Sequence, residues 1–332
     1  MSARPVVLLT GASGVVGQSL LREVGEVELL AATRGPVEPG RAARVVRCDV
    51  SLPLLGLEPP AYRALAAEVD VVVHSAGLTE WGRPDEEYVP VNIEGTRRVA
   101  EFAELAGAPV HFMSTAFVAA LLPGAGGTLS ETNVTAPYVR SKLLAERVLA
   151  DSGVPHTVFR PTNLIGDSLT GWTSRGQIVQ LISDWICRGR APFIPVHEGN
   201  RIDVVPQDLL SKAVLRAIEG GVTSGEFWVT YGPEAMDMAQ SLRICAEHAA
   251  ARGRRLAPVP VIDPDDERAR DLSGLPQLTR TYLSVLRDVS EVTRAGGGVL
   301  PTSMPELRDS FGVPKIADTD AYLRTLRFAS GR

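Results

Sequence analysis

Cysteine is scarce: Cys48, Cys187 and Cys245 are the only three in 332 residues, far apart and odd in number. A disulfide framework or a CxxC metal site is therefore not expected, and a reducing, cytoplasmic setting fits. Histidine is almost as sparse. The five (His74, His111, His156, His197 and His248) form no HExxH or other ligand pair, so no metal is expected. Basic charge is not in excess. With 34 Lys and Arg against 39 Asp and Glu, the formal charge is −5, which argues against a nucleic-acid surface. No apolar run is long enough to span a bilayer. The opening run Val6-Val7-Leu8-Leu9 leads straight into a glycine turn, and nothing there reads as a signal peptide. What the chain does have is 45% hydrophobic residues, enough for a sizeable core.

Up to about residue 160, short apolar runs alternate with amphipathic stretches. The runs predict strands over 6–10, 27–33, 44–47, 70–75, 110–114 and 157–160. Between the fourth and fifth, Val99, Phe102, Ala103 and Ala106 recur at helical spacing over 95–106. Such alternation predicts an α/β fold, a Rossmann-type doubly wound parallel sheet covered on both faces. Past Pro161 the alternation weakens. Residues 163–200 are rich in Gly, Pro and Trp around one amphipathic segment, 178–187. A strand over 201–205, a helix over 207–219 and a strand over 227–230 follow. The stretch 237–332 reads as mainly helical, with a Gly/Pro break at 295–305. The expected organisation is a nucleotide-binding domain over 1–165, to which 201–232 contributes. A smaller, mainly helical substrate-binding cap comes from 166–200 and 233–332.

Thr10-Gly11-Ala12-Ser13-Gly14-Val15-Val16-Gly17 closes the first strand and opens the first helix. Gly11 permits a tight turn, Gly14 lets backbone amides approach a pyrophosphate, and Gly17 allows the helix to pack closely on the sheet. The helix N-terminus adds unpaired N–H donors, so Gly11, Ser13, Gly14, Val15, Val16 and Gly17 are candidate cofactor contacts. The second strand ends in Ala31-Ala32-Thr33-Arg34, with no carboxylate to hold both ribose hydroxyls of NAD. Arg34 suits a 2′-phosphate, which favours NADPH without excluding NADH; a solvated surface arginine is the alternative. Asp49 and Val50, after the third strand, fall near the adenine. Ser75-Ala76-Gly77 ends the fourth strand in small residues, where the cofactor's ribose lies close to backbone.

Tyr138-Val139-Arg140-Ser141-Lys142 has the YxxxK spacing, which on a helix puts both side chains on one face. A tyrosine hydroxyl normally titrates near pH ~10. A nearby ammonium, with the positive nicotinamide of an oxidised cofactor, favours the phenolate and makes Tyr138 a usable acid. Lys142 also holds the nicotinamide ribose. One strand earlier, Thr115 (with Ser114 as second choice) donates a hydrogen bond to the substrate oxygen. The catalytic set is thus Thr115, Tyr138 and Lys142.

Together these motifs resemble the extended short-chain dehydrogenase/reductase superfamily over roughly residues 5–230. The GxxGxxG spacing matches the extended branch. Val91-Asn92-Ile93-Glu94-Gly95-Thr96 is similar to that branch's helix start, and Arg160-Pro161-Thr162-Asn163 to its sixth strand ending near the nicotinamide. On this resemblance Asn92, Pro161 and Thr162 join the cofactor-binding set. Ser114-Thr115-Ala116-Phe117-Val118 resembles the STAYV stretch of fatty acyl-CoA reductases. Gly166-Asp167-Ser168-Leu169-Thr170-Gly171 resembles the GDSxTG stretch of thioester reductase domains, and Arg201 to Asp208 their DxVPVDxV segment. The resemblance implies an NADPH-dependent reductase that releases a carrier- or CoA-bound acyl chain as an aldehyde or, after a second hydride, an alcohol. An acyl or peptidyl carrier protein acting in trans is the implied partner. The same machinery also serves an extended-type reductase or dehydrogenase of a free ketone, aldehyde or alcohol. A nucleotide-sugar epimerase and a non-catalytic NADP-sensing protein are the remaining readings. Selectivity is expected from 163–200 and the C-terminal helices. There Trp172, Trp185, Phe193 and Ile194 are expected to line an apolar acyl pocket, the alternative for Trp185 being helix core.

Overall fold

The computed structural model describes residues 4–23 and 25–331; residues 1–3, 24 and 332, the last ending the expected helical stretch, lie outside them. In chain order the strands are β1 (Val6–Thr10), β2 (Glu28–Thr33), β3 (Arg44–Arg47), β4 (Val71–His74), β5 (Val110–Met113), β6 (His156–Pro161), β7 (Asn163–Ile165), β8 (Ile194–Pro195), β9 (Val204–Pro206), β10 (Gly225–Val229) and β11 (Val261–Ile262). Seven of them form one sheet in the order β3-β2-β1-β4-β5-β6-β10. Every pairing in it is parallel. Strands of such a sheet are buried on both faces, which is why they read as continuous apolar runs rather than alternating ones. The six expected strands of the first half are present, with ends displaced by a residue or less.

The helices α1 (Val15–Leu20), α2 (Pro59–Ala66), α3 (Asp85–Tyr88), α4 (Glu94–Ala106) and α5 (Ala136–Asp151) follow the strands of the first half. After them come α6 (Ile178–Cys187), α7 (Gln207–Glu219), α8 (Met238–Ala250), α9 (Glu267–Arg270), α10 (Gln277–Ala295), α11 (Met304–Phe311) and α12 (Asp318–Ser330). One sheet face packs Leu9, Leu29 and Phe227 against Leu210 and Val214 of α7. The other packs Leu8, Val72 and Phe112 against Phe102 of α4 and Leu149 of α5. Each such side chain taken out of water contributes about 1.5–3 kcal/mol, so the two layers hold the sheet rigid from both sides. Helices α6, α8, α10 and α12 enclose a separate core around Ile182, Cys245, Leu283 and Tyr322. Among the described residues no helix is long and apolar enough to cross a membrane.

One expected strand is displaced. The 201–205 segment forms a strand only at Val204–Pro206, where it pairs with β7 outside the main sheet. The cause lies in Asp203, whose buried carboxylate accepts from the N–H groups of Tyr231 and Gly232 at 3.0 and 2.8 Å. The chain is held there as a loop that ties β9 to the segment after β10. The expected Gly/Pro break falls between α10 and α11.

The strand order reverses between β1 and β4, which both lie at the middle of the sheet. In an open parallel sheet this switch point leaves a crevice outside the carboxyl ends of the strands. Every sequence-predicted site residue follows the end of a strand or lies on a helix facing that edge.

Candidate active site

The glycine turn leaves β1 at the switch point. Gly11 has φ +71°, and a Cβ there would lie 2.5 Å from the Ala76 backbone nitrogen. No other residue fits between β1 and the end of β4. A Cβ at Gly17 would meet the Gly11 carbonyl at 2.4 Å and Ala12 Cα at 2.6 Å, so its close approach is to the turn itself, where packing on the sheet was expected. Gly14 is the extended N-cap of α1 and carries no capping side chain. The first-turn N–H groups of Val15, Val16 and Gly17 are thereby left for an anion. Ser13 stands beside them, its hydroxyl accepting from Thr33 at 3.4 Å. This cradle fits a dinucleotide pyrophosphate.

Arg34 and Asp49, at the ends of β2 and β3, come within 3.9 Å of each other. Arg34 is 69% exposed, free to turn toward a phosphate, whereas the Asp49 carboxylate also accepts from the Ser51 N–H and hydroxyl at 2.9 and 2.6 Å. Val50 is buried against Gly95 of α4. Ser75 closes the switch point by donating its hydroxyl to the Thr10 carbonyl at 3.0 Å, and the Ala76 N–H donates to the Thr10 hydroxyl at 3.3 Å. Gly77 faces the Asn92 side chain. Asn92 itself is committed within the protein: it accepts from the Leu78 N–H at 2.7 Å and donates to the Leu78 carbonyl and the Ser141 hydroxyl. Its place is that of a brace between the 75–78 segment and α5. Pro161 ends β6 and Thr162 follows it, donating to the Asp203 carbonyl at 3.1 Å.

Tyr138 and Lys142 project from one face of α5, and both are buried. Thr115 caps the short turn after β5, its hydroxyl oxygen accepting from the Phe117 N–H at 3.3 Å. Its proton is directed to Tyr138. Burial pushes the Tyr138 hydroxyl up to about 12, and the Thr115 hydrogen bond draws it down, with Tyr88 adding to the rise. The lowering thus comes from Thr115, where the sequence suggested Lys142. The lysine stands with Nζ 4.1 Å from the centre of the Phe112 ring. Burial lowers it to about 7, against a raising pull from Glu146. His74, sealed beneath, hydrogen-bonds Thr10 and Thr96 through its two ring nitrogens. Burial and then Lys142 hold it down at about 3, so it is neutral.

Ser114 is not available to a substrate oxygen. Its hydroxyl donates to Glu146 on the inner side. Glu146 also receives Arg160 in a two-pronged bond of 3.1 and 2.7 Å, and Arg160 reaches Glu226 at 2.6 Å. This buried charge network escaped the sequence reading. Its signals were a carboxylate four residues after Lys142 and an arginine inside an apolar strand, a charge that burial obliges to find a partner.

A cavity of about 820 Å³, solvent at its mouth included, opens beside this site. Phe117, Trp81 and Val289 line it and also pack in the cluster that contains Tyr138. Deeper in, Ile178, Ile182, Ile186, Val285 and Leu286 make its walls aliphatic. The expected lining residues are elsewhere. Trp185, Phe193 and Ile194 are buried in the core on the opposite side of α6. Trp172 lies under the Arg22 guanidinium, 3.9 Å from its ring centre. A ten-residue amphipathic helix offers two apolar edges, and it is the Ile178–Ile182–Ile186 edge that meets the cavity.

Known proteins share this architecture. The sequence profile of a family described as male sterility protein, an NAD-binding family, matches residues 38–214, more than half of the chain. The linear gramicidin synthase of Brevibacillus parabrevis contains a stretch 29% identical over 63% of this chain. The hybrid PKS-NRPS synthetase pvhA of Talaromyces variabilis is 33% identical over 65% of it. The chain spans only 5% and 6% of the lengths of those two relatives. In structure it resembles the terminal R domain from the myxalamid PKS-NRPS biosynthetic pathway. That match has a TM-score of 0.76 and 22% identity, covering 100% of this chain and 92% of that one. At that identity the likeness is one of fold.

Proposed function

The chain belongs to the male sterility protein family of NAD-binding oxidoreductases, within the extended short-chain dehydrogenase/reductases, and on that premise we propose that it reduces a thioester-bound acyl group to an aldehyde with NADPH. The observation that carries this reading is the aliphatic cavity that opens beside Tyr138. A sugar ring with a diphosphate would find few hydrogen-bonding partners on its walls, whereas an acyl chain fits. The names of the relatives, synthetases and a terminal R domain, support the same reading.

The nucleotide part is taken as 1–165 with 201–232, and the substrate-binding cap as 166–200 with 233–332. The turn Gly11–Gly17 would hold the pyrophosphate, Arg34 the 2′-phosphate, Asp49 and Val50 the adenine side, and Ser75, Ala76, Gly77, Pro161, Thr162 and Lys142 the ribose and nicotinamide side. Bound there, reduced nicotinamide supplies a hydride to the acyl carbon. Thr115 and Tyr138 donate hydrogen bonds to the carbonyl oxygen as it gains charge, in a site walled off from water by Phe117, Tyr88 and Trp81. When the carbonyl re-forms, the carbon–sulfur bond breaks and the thiol leaves with one proton, giving the aldehyde. A second hydride with a proton from Tyr138 would give the alcohol. An acyl or peptidyl carrier protein is the natural donor of such a thioester, and a CoA ester the simplest substitute.

A panel of acyl-CoA and acyl-carrier thioesters, run with NADPH and with NADH, tests the proposal. Nicotinamide oxidation matched by thiol release and an aldehyde or alcohol of the expected mass is the predicted result, faster with NADPH. Turnover of free ketones or aldehydes with no thiol release from any thioester would overturn it.

A further inference from the structure

The cavity is aliphatic along its walls but not at its inner end. There Ser183 of α6, Ser241 of α8 and Tyr322 of α12 meet, 2%, 5% and 3% exposed. Their protons can be assigned. Ser183 donates to the Val179 carbonyl at 2.6 Å, which commits its only proton. The 2.6 Å bond between Ser183 and Tyr322 therefore has the tyrosine as donor. The Tyr322 oxygen in turn accepts from Ser241 and from Cys245, both at a loose 3.5 Å. Every proton of the cluster is directed at the protein, and what remains toward the cavity is lone pairs, chiefly those of Ser241. An all-alkyl ligand would leave these lone pairs dry and unmatched, a cost that a hydrogen-bond donor removes.

The other polar groups of the cavity are already committed. Asn200 gives both amide hydrogens to Ser290, Asp203 takes two backbone N–H groups, and Thr293 donates to Val289. Arg201 points to the Ala235 carbonyl at 3.5 Å. The Ser183–Tyr322–Ser241 cluster is thus the polar feature that the long axis of the cavity leads to, from Phe117 beside Thr115 to the meeting of three helices.

We propose that the acyl group this site accepts has an apolar body and carries a neutral hydrogen-bond donor, a hydroxyl or an amide N–H, at its far end, read by Ser241 and Tyr322. The proposal rests on the thioester reading above and names the class of acyl chain it would take.

The test uses the whole protein with NADPH and matched CoA thioesters: octanoyl and decanoyl, each unsubstituted, with a terminal hydroxyl, and with a terminal methoxy group. At one of the two lengths the hydroxyl compound should exceed the unsubstituted one in kcat/KM by about tenfold, the difference lying in KM. The methoxy compound, which accepts but cannot donate, should gain nothing. Tyr322→Phe keeps the ring, and Ser241→Ala removes little volume. Either should bring the hydroxyl-to-alkyl ratio down toward one, and the alanine variant still reports if the phenylalanine variant folds poorly. Equal turnover of hydroxyl and alkyl compounds, an equal gain from methoxy, or a ratio unmoved in both variants would overturn the proposal while leaving thioester reduction standing. No turnover of any thioester would remove the reading beneath it.

Discussion

Lys142 and Tyr138 sit four residues apart on α5, yet burial drives their protonation in opposite senses. A buried ammonium loses hydration and is lowered to about 7, and a buried phenol is raised to about 12. Tyr138 is therefore a proton donor at neutral pH, the state that a carbonyl reduction needs. Tyr138→Phe should lower kcat by about 10²–10⁴-fold while NADPH still binds, as a fluorescence titration of the variant would register. Retained turnover would remove Tyr138 from the chemistry. Lys142 gives a separate prediction about stability. Between about 7 and its ordinary 10.5 the unfolded lysine holds a proton that the folded one does not. The unfolded state binds more protons there, so stability rises with pH through that window, by at most about 1.4 kcal/mol per pH unit. Below the window both states are charged and the full cost of burying the ammonium is felt; above it both are neutral. Urea midpoints of the cofactor-free protein across this range should climb in wild type relative to Lys142→Met, and parallel curves would refute the assignment.

What holds α5 in place is the carboxylate one turn beyond the lysine. Glu146 is bound by Ser114 at the end of β5 and by Arg160 in β6, so one side chain fixes the three elements that present Thr115, Tyr138 and Thr162. Removing one partner of a buried pair strands the other charge. Glu146→Ala should cost about 3 kcal/mol, toward the low end for such losses because Arg160 keeps its bond to Glu226. A urea midpoint within error of wild type would show that the network bears no load. These ties explain how much could be read beforehand. The glycine turn, the YxxxK pair and the strand runs are local patterns of period two or 3.6, and they lie where the sequence placed them. Which way Ser114 faces, or which edge of α6 lines the cavity, depends on partners far away in sequence, such as Glu146 for Ser114 and Tyr322 for Ser183. No window of ten or twenty residues contains that information. The misplaced pocket residues, Trp172, Trp185, Phe193 and Ile194, are the large apolar side chains of their segment, and size and hydrophobicity suit a core as well as a cavity wall.

The Gly166–Gly171 segment joins the halves of the molecule, and its residues serve geometry. Asp167 folds it into a turn by accepting from the N–H groups of Leu169, Thr170 and Trp172 at 3.0, 2.7 and 3.2 Å. Ser168 fastens the turn to α7 through two bonds to Asp208 at 2.8 and 2.7 Å, and the Ser168 carbonyl accepts from Arg324 of α12. Gly171, at φ +75°, lies where a Cβ would stand 2.2 Å from the Arg324 carbonyl oxygen. The helix that carries Tyr322 to the cavity is therefore seated directly on this glycine. Gly171→Ala combines an unfavourable backbone conformation with a clash against backbone, so α12 must move; the expected loss is about 3 kcal/mol. The damage should be divided. The crevice between β1 and β4 does not touch α12, so NADPH titration should give a Kd near wild type, whereas thioester turnover should fall sharply as the cavity wall shifts. Loss of both together would mean that the helical core and the sheet fold as one unit, and wild-type turnover with an unchanged Tm would mean that α12 is seated by something other than this turn.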